Sequence, residues 1–181
     1  MIVETGHFTL ILALLVASVQ MVLPLVGAQK GWRGWMAIAG PAALTQAALL
    51  TFSFCALTYA FVTSDFSVRL VVANSHTLKP MLYKVTGVWG NHEGSMLLWC
   101  LIVAVFGALV ALFGGNLPER LRARVLAVQA SVGVAFLGFL IFTSNPFLRV
   151  ANPPMNGQDL NPLLQDPGLA FHPPFLYLGY V

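Results

Sequence analysis

The chain has 181 residues, of which 58% are hydrophobic and only 8% charged. Soluble domains carry roughly a quarter charged residues, so composition and a mean hydropathy of +0.82 exclude an ordinary soluble domain. A net charge of +3, spread along the chain, argues against nucleic acid as a partner.

In chain order, the first apolar run covers about 8–26. It follows Glu4 with no Lys or Arg ahead of it, unlike a signal peptide, and reads as a retained membrane helix ended near Pro24. A short basic link over 28–40 carries Trp32 and Trp35, the residue type of interfacial belts. The second run covers about 42–62, and a long loop follows over 63–94. The third run, about 95–113, turns through a basic link at 114–124 into the fourth, about 125–143. Small residues in that last run (Ser131, Gly133, Ala135, Gly138) permit close helix contact. A second long loop, 144–172, leads to a fifth run that opens on Pro173 and is cut short by Val181.

Each of the four full runs is near the roughly 20 residues needed to cross a bilayer. The expected fold is all-α and integral to the membrane: one polytopic helical bundle over 1–181, with four complete spans and the start of a fifth. None of the four spans holds Asp, Glu, Lys, Arg or His, which argues against a pump or ion-coupled transporter. Cys55 and Cys100 form no CxxC pair and read as buried, inert thiols.

The two short links hold Lys30, Arg33, Arg120, Arg122 and Arg124. The much longer N-terminal and loop segments hold Arg69, Lys79, Lys84 and Arg149. The denser set is expected on the cytoplasmic side. The N-terminus and both long loops then face outward, into the periplasm of a bacterium.

Each long loop has about 30 residues, well beyond a helix–helix link of 2–8, and long loops on one side of a bundle carry function or dock a partner. The second loop, dense in Pro, Asn and Gly, is expected to be irregular. His172 stands out within it. A helix beginning at Pro173 gives up a backbone N–H that would have no partner anyway. That places His172 at the water–lipid boundary, near the positive end of the helix dipole, where the neutral, iron-ligating imidazole is favoured. Phe171, Phe175, Tyr177 and Tyr180 offer flat apolar surface beside it. The pattern alone leaves open an iron ligand or a plain interfacial anchor.

His92-Glu93, ahead of the third span, fails the HExxH zinc pattern because Met96 stands in the fifth position. Glu93 fits the first turn of a helix capped by Asn91 or Ser95, and His92 could line the same outer surface as His172. Lys84, Lys79 and Arg69 read either as partners for anionic groups or as solvated charges. Asp159 and Asp166 sit in turn-forming QDLNP and QDPG.

YKVTGVWG (83–90), WGNHEGSMLLW (89–99) and GQDLNPLLQDPGLAFHPPFLYLGYV (157–181) resemble the CcmF/NrfE group of cytochrome c-type biogenesis proteins. The resemblance runs over the whole chain, as that family's N-terminal portion. It implies an inner-membrane subunit of a haem lyase. Such a subunit takes haem b from the haem chaperone CcmE and attaches it to the CxxCH cysteines of apocytochrome c, beside apocytochrome-handling subunits of the CcmH/CcmI type. The family binds incoming haem with two periplasmic histidines flanking a WWD segment. His172, in its AFHPPFLY setting, matches the first. His92, Trp89, Lys84, Phe171 and Phe175 are the further candidate haem contacts. The WWD segment, the second periplasmic histidine and the ligands of the family's other b-type haem are absent from these residues. The implied alternatives are an NrfE-type lyase serving a specialised nitrite reductase haem site, or a non-catalytic membrane scaffold.

Overall fold

The structure, a computed structural model, describes the backbone of residues 1–181 and every side chain except those at 163 and 164. Among the described residues, four helices are long and apolar enough to cross a membrane. They are α1 (Ile2–Lys30), α3 (Ala39–Val62), α6 (His92–Phe113) and α7 (Glu119–Phe142); the short α2 (Arg33–Ala37) leads into α3. Packing runs α1 on α3, α3 on α6, α6 on α7 and α7 back on α1, an up-and-down ring of four.

Small residues set the spacing inside the ring. Ala13, Ala17, Ala56 and Ala60 are buried among Leu10, Leu50, Leu57 and Phe61. A side chain at Gly6 would bring a Cβ within 2.6 Å of Ala56 Cβ, so α1 and α3 touch nearly backbone to backbone there. Outward positions are just as apolar: Leu15, Phe52, Phe106, Leu109 and Val128 are exposed. Helices apolar on every face belong in lipid, where the outer side chains meet acyl chains rather than water.

The helices outrun the apolar runs at their polar ends, and α1 does not stop at Pro24. Pro24 lies buried inside α1, which continues to Lys30 and closes on Gly31, whose left-handed φ of 74° lets its N–H reach the Gly27 carbonyl. In a membrane helix, neighbouring helices offset the bond a proline removes. Cys55 is also not buried: it sits on the outer face of α3, while Cys100 is inside the ring.

One end of the ring gathers the basic links, where Arg33 pairs with Glu119 at 3.4 Å. The other end gathers the N-terminus and both long loops. Arg149 reaches Glu4 of α1, Asp65 of the first loop and Ser67. The first loop folds into two short helices, α4 (Arg69–Asn74) and α5 (Met81–Thr86). The second loop is largely irregular but is sewn to the first through its backbone. Arg69 N–H donates to the Leu148 carbonyl, Val150 N–H to Ser67, Gln158 N–H to Val72 and Asp159 N–H to Ser75. The two loops are therefore one folded unit.

The last helix, α8 (Pro167–Tyr180), starts six residues before Pro173, so the expected helix start is corrected. Asp166 is its N-cap, with a carboxylate accepting from Leu169 N–H at 3.1 Å, and Pro167 is the first-turn proline. Pro173 and Pro174 lie inside the helix.

Candidate functional site

The site is built from the start of α6, the end of the first loop and the outer half of α8. WGNHEG is the stretch that shapes it. Asn91 caps α6, its Oδ1 accepting from Gly94 N–H at 2.7 Å while its amide donates back to the Gly87 and Val88 carbonyls. Gly94 is required by space: a Cβ there would lie 1.6 Å from the Val88 carbonyl oxygen. Trp89 is thereby aimed at α8, and its indole N–H donates to the Ala170 carbonyl at 2.8 Å. Further along α6, Trp99 stacks on Tyr177 of α8, with ring centroids 5.5 Å apart and planes within 10°. Two tryptophans of one segment thus fix one face of α8.

Between these elements lies a cleft of about 300 Å³, walled by Thr86, Trp89, His92, Leu160, Leu169 and Pro173. His92 occupies the first position of α6, exposed, with its ring edge-on to Phe139 at 6.0 Å.

His172 is exposed but points elsewhere. At about 100° per residue, it lies roughly 160° around α8 from Ala170 and roughly 140° from Tyr177, so it faces away from the docked side. Its neighbours on that outward side are Phe171, Phe175 and Leu176, which are 46%, 71% and 42% exposed. His172 and His92 are not brought to one surface. Nor is His172 at the helix mouth: it is the sixth residue of α8, beyond the first turn where the dipole acts. Lys84 is committed to the loop unit, its ammonium donating to Ser64 Oγ at 2.8 Å.

Lys79 is the unexpected charge. Its side chain is buried, donating to the Asn74 carbonyl at 2.8 Å with Asp159 at 3.9 Å. Burial pulls its pKa down to about 8 despite Asp159. Among the described residues no group of His, Cys, Asp and Glu is arranged to hold a metal ion.

Residues 89–181 match the family model described as cytochrome C assembly protein, a stretch that holds Trp89, Trp99, every named cleft residue but Thr86, and α8. The chain belongs to the cytochrome C assembly protein family. Among curated members, Ccl1 of Rhodobacter capsulatus is 77% identical over all 181 residues. CcmF of Pseudomonas aeruginosa is 56% identical, and CcmF of Escherichia coli 47% identical, each over the whole chain. The chain spans only about 28% of the length of these relatives. A solved structure titled cytochrome c heme lyase CcmF superposes on 99% of the chain with a TM-score of 0.83 at 24% identity, covering 28% of that longer protein. That likeness carries the fold, an all-α membrane bundle.

Proposed function

We propose that these residues are the N-terminal part of a cytochrome c haem lyase subunit in the bacterial inner membrane, with His172 as an axial ligand to incoming haem b at the periplasmic face. The observation that carries the reading is the outward placement of an exposed imidazole on α8, beside exposed Phe171 and Phe175, within the family-matched stretch. The donor set fits one side of an iron porphyrin: one imidazole nitrogen and an apolar aromatic strip. When bound, haem supplies the iron and the vinyl groups that become thioethers.

The residues of this chain hold and orient. The face of α8 bearing Ala170 and Tyr177 is taken up by the bundle, so His172 addresses a ligand arriving from outside the ring. The folded loop unit around it is the platform on which a haem donor of the CcmE type and an apocytochrome would meet, with CcmH/CcmI-type subunits as further partners. The basic end of the ring then faces the cytoplasm. Lys84 would serve a haem propionate only by leaving Ser64, and His92 and Trp89 act from the cleft side rather than on the His172 face.

The test is co-expression of the full-length protein with its maturation partners, comparing wild type with His172→Ala. The reading predicts that haem co-purification and the yield of mature cytochrome c both fall sharply. An unchanged yield of mature cytochrome c overturns it.

A further inference from the structure

Deep in the ring, three glutamines from three helices converge: Gln20 of α1, Gln46 of α3 and Gln129 of α7, around a cavity also lined by Cys100 and Leu137. Gln20 and Gln46 are 2% and 6% exposed. Gln20 donates its amide N–H to the Leu126 carbonyl of α7, and Gln129 donates to the Val103 carbonyl of α6. Gln20 Oε1 is fully buried and accepts no hydrogen bond from any described residue. Two glycines make room for the amide heads. A Cβ at Gly107 would come within 3.0 Å of Gln129 Oε1, and one at Gly133 within 3.1 Å of Gln46 Nε2. The space enclosed is about 10 Å³.

We infer that this cavity is a binding site for one water molecule that joins the three glutamines across the bundle. The size matches, because one water needs on the order of 10–15 Å³ of such volume. The chemistry matches too. The water donates to Gln20 Oε1 and Gln129 Oε1 and accepts from Gln46 Nε2, three bonds in all, the usual number for a buried water. The acyl chains and leucines around the cavity offer no donor to a glutamine carbonyl, so the polar partner has to come from within the cluster itself. The site ties α1, α3 and α7 at one level. A rotation or slide of any one helix would strand a polar atom in hydrocarbon, so the water fixes helix register where small residues alone would let the helices slip.

The test is a structure of the intact chain in its native assembly, at a resolution that shows ordered water elsewhere in the map, for wild type and two variants. Gly133→Ala keeps all three amides but pushes the Gln46 head into the cavity. Gln46→Met keeps the volume and removes the polar atoms. The expected result is one isolated peak within hydrogen-bond distance of Gln20 Oε1 and a second glutamine in wild type. The peak should be lost in both variants, with the melting temperature of each lowered by several degrees. Absence of the peak in wild type, with Gln46 turned to bond Gln20 directly, overturns the inference, as does an unchanged peak in Gly133→Ala.

Discussion

The indole N–H of Trp89 donates to the carbonyl of Ala170 at 2.8 Å. In a regular helix that carbonyl would accept from the N–H of residue 174, and residue 174 is proline. Trp89 thus occupies the acceptor that Pro174 cannot serve, and the double proline becomes the docking point of α8.

A compensating pair of substitutions follows from this bond. Trp89→Phe keeps the ring and removes the donor, and should cost about 1–2 kcal/mol as the Ala170 carbonyl loses its partner. Pro174→Ala returns a backbone N–H to the helix. In that background the same Trp89→Phe change should cost markedly less. The measurement is a double-mutant cycle read from amide hydrogen exchange in α8, and additive costs would show that the bond has no such role.

Gly94 should tolerate no side chain. Gly94→Ala drives a Cβ into the Val88 carbonyl oxygen, 1.6 Å away, and neither atom can move without breaking the Asn91 cap. The loss should reach or exceed about 3 kcal/mol, the upper range for overpacking. Asn91→Ala, which removes the cap and the amide bonds to the Gly87 and Val88 carbonyls but creates no clash, should cost less, about 1–2 kcal/mol. Thermal unfolding of the two variants should keep that order.

Lys79 gives the loop unit a signature in pH. Burial holds its pKa at about 8 against an ordinary 10.5. Between those values the unfolded chain binds a proton that the folded one does not, so stability rises with pH across that window. The contribution is fully present above 10.5 and is lost as pH falls through about 8. Lys79→Met should flatten this slope in thermal melts recorded from pH 7.5 to 10, a range chosen to bracket the folded value of about 8. An equal slope in both proteins would show that Lys79 is not its source.

The four spans are legible because each is a run of about 20 apolar residues; the cap of α6 is legible only as a choice between Asn91 and Ser95, since both residue types stand at the start of that run. The start of α8 is not. Asp166-Pro167-Gly168 reads as a turn, yet the same Asp and Pro are also an N-cap and a first helical residue. Pro173-Pro174 then looks like a helix start rather than an interruption served by Trp89. Only tertiary contact distinguishes the two. His172 stands out in the sequence as a candidate ligand, but its facing is not legible there, because the azimuth of α8 is set by Trp89 and Trp99 about 80 residues earlier. The glutamine cluster is not legible in the sequence for a similar reason. Gln20, Gln46 and Gln129 are uncharged and solitary in their own spans, and they meet only once the ring closes.

The central claim is that the imidazole of His172 coordinates haem iron from the outward face of α8. Axial-ligand spectroscopy of the full-length protein, comparing wild type with His172→Gly with and without added imidazole, tests it most directly. The account predicts that the substitution removes one imidazole ligand from the incoming haem and that free imidazole restores it. Identical axial coordination in wild type and His172→Gly, without imidazole, would contradict it.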